Sequence, residues 1–573
     1  MSSSGPEAHR PSPARIRRFG LGALFALGIG LVTLGPVLYV LISSFDVALP
    51  GRAYEFGLAG WREIFTSSKS WSAIVYSFVL SVRVPIAVVV GFLIAWLLVR
   101  VEIPGHRFIE LSFWFGFLLP AFPMMMGWIL LLDANYGLLN LMFMKLPFIN
   151  SPLFSIYSVP GIIWVHLAVT NIPIMVILLT PMFRQLDSSF EEAADMSGAT
   201  TGMTMRRITI PLLLPAIATA FLLSLIRSLE AFEIERVLGT PVNINVYSTR
   251  IYDYVSLEPP MFPQAMALSS LFLAILLALA VVYQVYLERT GERPTIAGRG
   301  VRMQSRPKSL RVYAVSGLLI GYICITLFLP LTILILGSFT KLFGFFFLEN
   351  TWTVAHWIAV LSDVRFLRAA VTSALLGFAV GFAGVLLFSL VAWVLVRTHV
   401  WGLRLVNILV WLPWAIPGLV LGVTLLSLML ETPGLSVLYG TAVPLVLALL
   451  IKELPVGVQL LRSSIAQVSG ELEEAAIMSG AGFVMILRRV TLPLIAPMLA
   501  SVFLLIFAST MRDVSTVVLI AAPGTRTMSL LMFDFALTGQ MESAAVVGVL
   551  IALICMLVTA ASLAIGRKVA IQS

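Results

Sequence analysis

The chain has 573 residues, of which 59% are hydrophobic and 11% are charged, whereas soluble domains are about half apolar and about a quarter charged. This composition excludes a soluble globular protein. The two cysteines stand alone in apolar runs and the five histidines form no cluster, so the sequence offers neither a disulfide framework nor a metal site. The net charge of +9 forms no basic stripe with interleaved aromatic residues, so we expect no nucleic-acid partner.

Long apolar runs predict twelve membrane-spanning helices, since each such helix takes about 20 residues. The first run has no small-residue cleavage site, which favours a retained helix over a removed signal peptide. The third and ninth runs contain paired prolines (Pro120 and Pro123, Pro413 and Pro417), which predict broken helices of the kind that can line a transport path. The predicted runs are residues 20–44, 72–99, 108–132, 159–183, 212–229, 264–287, 312–339, 368–396, 406–430, 441–461, 494–511 and 544–566.

The distribution of basic residues predicts the orientation of these helices. Alternate loops, together with both ends of the chain, hold more than half of the 37 lysines and arginines. The positive-inside rule therefore places both termini in the cytoplasm.

Residues 288–311 predict a cytoplasmic linker between two halves. The segment holds three glycines and two prolines among seven basic residues and has no apolar periodicity. We therefore divide the chain into a first half, residues 1–300, and a second half, residues 301–573, each with six membrane helices.

An internal repeat supports this division. Residues 191–215 align with residues 473–497 at an offset of 282 without a gap, and fifteen of the twenty-five positions are identical. The same offset aligns Pro173 with Pro455. Because each half has six predicted helices, both copies face the same way, and the pseudo-symmetry axis should run along the membrane normal.

Both copies lie in predicted cytoplasmic loops, which we call the first repeated loop (190–211) and the second repeated loop (472–493). Good helix formers open each loop, and Gly198 and Gly480 can adopt φ > 0 and let a second short segment leave at an angle. Pro211 and Pro493 suit the start of the next membrane helix.

The loop pattern resembles the signature cytoplasmic loop of ABC importer permeases: Glu-Ala-Ala, three residues, glycine, nine residues, isoleucine, one residue and Leu-Pro. This chain has Ile210 in place of the leucine and Val490 in place of the isoleucine. In that family the loop is a coupling helix that docks in a groove on an ATPase subunit. A tandem copy in one chain resembles the fused permeases of the iron(III) import class, to which thiamine permeases are similar.

The resemblance implies an all-α polytopic membrane protein with the type I ABC importer permease fold, its two six-helix halves forming a parallel pseudo-repeat. It also implies two ATPase subunits and an extracytoplasmic substrate-binding protein as partners, and a place in the lipid bilayer of the bacterial inner membrane. By the same resemblance the ATPase-coupling residues are Glu192, Ala193, Ala194, Gly198, Ile208 and Pro211, with Glu474, Ala475, Ala476, Gly480, Val490 and Pro493 in the second copy.

Several charges lie within predicted helices, where each costs about 2.5–3.5 kcal/mol unless it is paired or hydrated. We expect Lys452 and Glu453 to pair with neighbouring helices, and Arg83 also needs a partner. A further set lies near the outer mouth, at aligned places in the two halves. It is a candidate outer gate or pathway lining, with salt bridging as the alternative: Arg227, Glu230, Glu233, Arg512 and Asp513.

No phosphate-binding loop of the form Gly-x-x-x-x-Gly-Lys-Ser/Thr occurs, so we expect the chain to bind no cofactor and to leave ATP to its partner subunits. No nucleophile elbow or paired histidine ligands occur either, and we do not expect an enzyme. An ion-coupled secondary transporter is the main rival and a passive channel a weaker one. The adjacent Met124, Met125 and Met126 point around a helix, which favours packing or lipid contact over metal binding.

The transported solute is open between ferric iron, thiamine, a polyamine and a phosphonate. The predicted outer loop after the fifth helix carries Glu230, Glu233 and Glu235, which would make an acidic entrance. Such an entrance favours cations, and carboxylate oxygens suit a hard ion. Ferric iron is therefore the preferred solute.

Overall fold

The computed structural model describes residues 13–48, 52, 54–290, 310–398 and 402–572. In these ranges helices are the sole regular elements apart from two isolated bridges, Asp46 with Phe56 and Thr340 with Trp352. The predicted all-α class is confirmed. The predicted boundary between the halves and most of the predicted linker lie outside the described residues.

The helices of the first half are α1 (Pro13–Ser43), α2 (Ala59–Thr66), α3 (Ser68–Leu80), α4 (Arg83–Arg100), α5 (His106–Leu118), α6 (Ala121–Leu132), α7 (Leu138–Phe143), α8 (Val159–His166), α9 (Ile172–Gln185), α10 (Ser189–Met196), α11 (Thr201–Thr204), α12 (Ile210–Leu229), α13 (Tyr247–Ser256) and α14 (Phe262–Thr290). Those of the second half are α15 (Leu310–Ile323), α16 (Leu329–Gly337), α17 (Ala355–Ser362), α18 (Val364–Arg397), α19 (Leu403–Trp411), α20 (Gly418–Glu431), α21 (Val443–Gln467), α22 (Gly470–Met478), α23 (Phe483–Ile486), α24 (Leu492–Arg512), α25 (Met528–Leu537) and α26 (Met541–Gln572).

Ten helical segments in the described ranges are long and apolar enough to cross a membrane, and two bent pairs raise the number to twelve. The pairs are α5 with α6, bent by 103°, and the helix from Leu403 to Ala415 with α20, bent by 100°. Pro120 and Pro417 stand directly before the second helix of each pair, where a missing N–H and the proline ring stop the preceding helix. The predicted breaks in the third and ninth helices are confirmed.

Five π-helical turns interrupt other helices, and each ends two residues before a proline. Proline removes an N–H donor and its ring crowds the carbonyl four residues earlier, so a wider turn relieves the clash without ending the helix. The π turns are Leu167–Asn171, Met205–Thr209, Glu235–Gly239, Cys324–Phe328 and Leu487–Thr491. Short 3-10 turns occupy Thr240–Val242, Leu412–Ala415 and Ser436–Leu438.

The first membrane helix of each half packs against the other half. Helix α1 packs on α19 and α20 of the second half, and α15 and α16 pack on α5 and α6 of the first half. Tyr39 on α1 donates a hydrogen bond to Glu431 at 2.5 Å. Gly127 on α6 lies so close to α16 that an added Cβ would be 2.2 Å from the carbonyl oxygen of Pro330. Each half thus supports the broken helix of the other.

The halves are matched in detail. In the first half the Ser77 hydroxyl accepts a hydrogen bond from the backbone N–H of Tyr247 at 3.0 Å, and in the second half Ser373 accepts one from Met528 at 2.8 Å. The predicted parallel pseudo-repeat is confirmed. The side chains of the Met124–Met126 run are all buried, so they pack within the protein and do not face lipid.

Candidate functional site

Both repeated loops lie at one end of the helix bundle, which we call the loop face (residues 186–209 and 468–491). In the first loop, α10 ends at Met196, Gly198 follows with a φ of +78°, and the N–H of Ala199 donates back to the carbonyl of Ala194 at 3.0 Å. The second loop repeats this geometry at Gly480, with φ of +80°. A left-handed residue just after a helix satisfies its last carbonyls and turns the chain. The predicted positive φ at both glycines is confirmed.

The acid held in each loop is the one directly before the Glu-Ala-Ala motif. A carboxylate oxygen of Glu191 lies 2.7 Å from Nε of Arg100, and the other accepts a hydrogen bond from Thr209 at 2.9 Å. In the second loop the matching distances are 3.3 Å and 3.1 Å. We call each set a clasp: the first clasp is Arg100, Glu191 and Thr209, and the second clasp is Arg397, Glu473 and Thr491.

Sequence reasoning missed the clasps and selected the next acid in each loop. The Glu192 side chain is exposed and accepts a hydrogen bond from the Ser188 hydroxyl at 3.0 Å. The side chain of Glu474 lies outside the described part of the structure. The acid of the motif itself is therefore free for other contacts in the first loop, while Glu191 is engaged within the chain.

Exposed apolar side chains occupy three equivalent positions in the two loops. Met196 is 90% exposed and Met478, 282 residues later, is 88% exposed. The other two pairs are also exposed: Phe190 with Leu472, and Met203 with Met485. A matched apolar surface on two polar loops indicates a binding surface, because solvent-facing loops do not need methionine for folding.

The other predicted loop residues divide between support and surface. Ala194 is buried against the fold, whereas Ala193, Ala475 and Pro493 are exposed. Four more are half-buried: Ala476, Ile208, Val490 and Pro211. Pro211 and Pro493 lie in the first turn of α12 and α24, as predicted.

At the far ends of α12 and α24 from the loop face, charged residues of both halves come together. Arg227 lies 3.3 Å from Glu230 in the first half, and the Lys452 ammonium contacts the Asp513 carboxylate in the second. Burial, followed by the charge of Asp513, raises the pKa of Glu233 to about 7. Glu233 has no ion-pair partner among the described residues.

The predicted partners of the membrane charges are also found. Lys452 donates to the Thr516 hydroxyl at 3.1 Å in addition to pairing with Asp513, and Glu453 accepts a hydrogen bond from Ser509 at 2.6 Å. Arg512 donates hydrogen bonds to the backbone of α5 in the other half instead of pairing with the described acids of its own half. The expected structural pairing of Lys452 and Glu453 with neighbouring helices is confirmed.

The predicted acidic entrance is wrong for Glu235. Its buried carboxylate lies 3.1 Å from Arg83 and 2.8 Å from His166, in a π turn that folds back into the bundle. Arg83 also donates to the carbonyl of Ser228 at 2.8 Å. Arg83 neutralises Glu235 inside the first half, and Arg227 pairs with Glu230, a second of the three acids on which the entrance was predicted.

The described residues contain no group of three or more His, Cys, Asp or Glu placed to hold a metal ion.

A membrane-embedded helical chain with two interlocked six-helix halves, matched loops on one face and charged groups between the halves has the architecture of a transport permease. The chain belongs to the family of binding-protein-dependent transport system inner membrane components, which matches residues 84–290 and 384–571. It is therefore a multi-pass component of an inner-membrane transport family.

Curated relatives include ferric transport permeases. The chain is 27% identical over 365 residues to the putative ferric transport system permease protein FbpB 1 of Haemophilus influenzae, which covers 62% of this chain. The match spans about half of that relative, 55% of its length. The Fe(3+)-transport system permease protein FbpB 2 of the same organism is 24% identical over 536 residues, covering 91% of this chain and 93% of the relative.

The names of other similar proteins give different solutes. The sulfate transport system permease protein CysT of Escherichia coli is 28% identical over 205 residues, covering 36% of this chain and 72% of its own. A solved bacterial ABC transporter involved in import of the acidic polysaccharide alginate covers 48% of this chain and 97% of its own, with 18% identity and a TM-score of 0.39.

Proposed function

We propose that the chain is the membrane permease subunit of an ATP-driven ABC importer and that its solute is ferric iron. The observation that carries the importer proposal is the pair of matched loops, each with an exposed methionine at its centre. Two equivalent docking surfaces in one chain call for two ATPase subunits, identical or closely related. ATP is bound and hydrolysed by those subunits.

Burial of the exposed loop side chains would supply much of the docking energy. Covering a methionine contributes about 1.5–3 kcal/mol, and each loop offers three apolar side chains around its short helix. Glu192 stands beside this surface with its carboxylate exposed, where it can meet a basic group of the ATPase.

The orientation follows from the arginine-rich loops. The loop face is cytoplasmic, both termini are cytoplasmic, and the external binding protein delivers solute to the opposite face. Family membership supports the binding protein as a partner, since transport in this family is binding-protein-dependent.

The geometry suggests how ATPase motion reaches the pathway. Helix α12 runs directly from the first repeated loop to Arg227 and Glu230, and α24 runs from the second repeated loop to Arg512 and Asp513. Each helix has about 20 residues and is therefore about 30 Å long. A tilt imposed at the loop face moves the charged cluster at the other end, which is the motion that alternating access between the halves requires.

The candidate pathway comprises Arg227, Glu230, Glu233, Arg512 and Asp513. We assign Glu230, Glu233 and Asp513 to the lining of the pathway. Arg512 has a structural role beside it, because Arg512 donates hydrogen bonds to the backbone of α5. Glu233 is the carboxylate with which a passing cation interacts most readily, since it has no ion-pair partner in the described ranges.

Ferric iron is supported by relatives, one of which matches 91% of the chain. The sulfate permease match favours an oxyanion as the second candidate. Thiamine, polyamines and phosphonates remain further alternatives. The electrostatic argument for a cation rests on Glu233 alone, because neighbouring bases pair with the other acids.

Docking is tested by Met196→Glu and Met478→Glu, each alone and together. A charge in the centre of an apolar contact should reduce co-purification of the ATPase and abolish ATP-dependent uptake in proteoliposomes that enclose ATP, with membrane abundance unchanged. Met142→Glu, at an exposed methionine outside both repeated loops, is the matched control. Uptake driven by an ion gradient without ATP would establish the secondary-transporter rival.

The solute is tested in a strain that lacks this gene. Uptake of labelled iron(III) should fall and return with the wild-type gene, while sulfate, thiamine, polyamine and phosphonate uptake should not change. Normal iron uptake with loss of one of the others would replace iron as the solute and leave the importer proposal standing.

A further inference from the structure

Each clasp holds a repeated loop to two membrane helices at once. Arg100 is the last residue of α4, and besides its ion pair with Glu191 it donates through Nη2 to the carbonyl of Leu186, just after α9, at 3.0 Å. Arg397 ends α18 and donates in the same way to the carbonyl of Val468, just after α21, at 2.6 Å. One guanidinium thus joins the ends of two membrane helices to the short helix of the loop.

The threonine of each clasp extends this connection to the next membrane helix. Thr209 and Thr491 are buried and lie directly before α12 and α24. The four charged side chains of the two clasps are no more than 17% exposed. In such a site, water screens the Arg–Glu ion pair little, although Nε of each arginine forms no regular hydrogen bond with the glutamate.

The Arg–Glu pairing is present in both halves although the chain between its members differs in length. Arg100 and Arg397 are 297 residues apart, whereas Glu191 and Glu473 are 282 apart. The difference of 15 lies between the third and fourth spans, where 26 residues (133–158) correspond to 11 (432–442). The two arginines therefore reach the same partner in spite of an insertion, which indicates a specific role for the contact.

We propose that the two clasps make each repeated loop move as one body with α4 and α9, or with α18 and α21, and that Arg100, Glu191, Arg397 and Glu473 are positioning residues of the coupling step. This proposal rests on the proposed function in that the transmitted motion is driven by ATPase subunits. The clasp residues act through the orientation of α10 and α22.

The test measures loop mobility and coupling separately. A spin label is attached at Ser197 after α10, or at Ser479 after α22, in the full chain in lipid nanodiscs with Cys324 and Cys555 replaced by alanine. Glu191→Gln and Glu473→Gln remove the charge of one partner with little change in shape. The control is Glu110→Gln, because Glu110 on α5 forms an ion pair at 2.8 Å with Arg184 near the end of α9, outside both repeated loops.

We expect each clasp variant to increase the mobility of the label in its own loop. It should also lower the ratio of solute transported to ATP hydrolysed by about tenfold, a factor within the usual range for coupling between two sites. Glu110→Gln should change neither quantity. Arg100→Lys, which keeps the charge but loses the planar guanidinium, should give intermediate label mobility and intermediate transport per ATP. It replaces Glu191→Gln in the test if that variant does not accumulate in the membrane. A merely structural contact would lower abundance without changing transport per ATP.

Unchanged label mobility in Glu191→Gln and Glu473→Gln would overturn the clasp proposal, and so would increased mobility with a normal transport-to-ATP ratio. If the wild-type chain supports no ATP-dependent transport, the importer proposal fails. In that case the coupling role of the clasps falls with it, while the mobility measurement still decides whether the clasps hold the loops.

Discussion

Arg512, the last residue of α24 in the second half, donates a hydrogen bond at 3.0 Å to the carbonyl oxygen of Phe117 in the first half. A second contact reaches the carbonyl of Leu118 at 3.4 Å, and the guanidinium lies 5.9 Å from the centre of the Phe117 ring. These carbonyls belong to the last turn of α5, where the break before α6 removes their helical donors. A charged donor from one half therefore completes the broken helix of the other, as a membrane-embedded break requires.

Arg512→Met keeps an unbranched side chain but leaves both carbonyls without this donor. The free energy of unfolding should fall by about 1–3 kcal/mol, the penalty for buried groups left unsatisfied. Thermal unfolding in nanodiscs measures the effect. Arg526→Met is the control, because Arg526 is 46% exposed and pairs with Asp534 at the surface, where ion pairs contribute about 0–1 kcal/mol. An equal loss in both variants would argue against the role of Arg512 in the break.

Valine at Gly198 and Gly480 should impair coupling through backbone strain alone. An added Cβ would meet no atom within 4 Å at either position, but the positive φ should cost about 1–3 kcal/mol at each site. Transport and stimulated ATP hydrolysis should fall together while membrane abundance persists. Asparagine, which tolerates the left-handed region, should retain most activity at both positions. Gly202→Val adds a side chain in equally open space without positive φ and should leave transport nearly unchanged. Normal transport in the double valine variant would show that the glycine turn is not needed.

The broad plan of the molecule could be predicted from sequence because it depends on local patterns. Apolar runs of sufficient length specify the spans, prolines specify the breaks at Pro120 and Pro417, and an ungapped repeat reveals the two loops with their left-handed glycines. These features involve neighbouring residues or a constant offset. They do not depend on how distant segments pack.

The clasps and the position of Glu235 depend on contacts between distant segments. Arg100 and Glu191 are 91 residues apart, and the change of offset from 297 to 282 hides the correspondence between Arg100 and Arg397. An arginine at the end of each second span was the available signal. Glu235 resembled a loop acid, but the π turn before Pro241 brings it to Arg83 and His166 inside the bundle. The spacing of these residues in the sequence does not reveal that their side chains are in contact.

The proposed orientation predicts which exposed positions can be labelled from outside. In a chain without its native cysteines, Phe148→Cys, on the face opposite the repeated loops and 92% exposed, should react with a membrane-impermeant maleimide in intact cells. Met196→Cys should react only after permeabilisation. Ser305→Cys, in the predicted linker, should behave like Met196→Cys although it lies outside the described residues. Ready labelling of Met196→Cys in intact cells would invert the proposed topology.

Transport should depend on pH through Glu233. Burial and the charge of Asp513 raise the pKa of Glu233 from 4.5 to about 7, so the carboxyl is neutral at pH 6 and largely ionised at pH 8. The ionised fraction then rises about tenfold between these values, and uptake of a cation in proteoliposomes buffered equally on both sides should rise with it.

Stability should change in the opposite direction. The folded protein binds the proton more tightly than the unfolded chain, so the contribution of Glu233 to folding is present below pH 4.5 and is lost as the pH rises to about 7. Glu233→Gln stays neutral throughout and should flatten both profiles, whereas Glu349→Gln, at an exposed acid on the same face, should leave both unchanged. A pH dependence of uptake that persists in Glu233→Gln would assign it to another group and remove Glu233 from the proposed pathway.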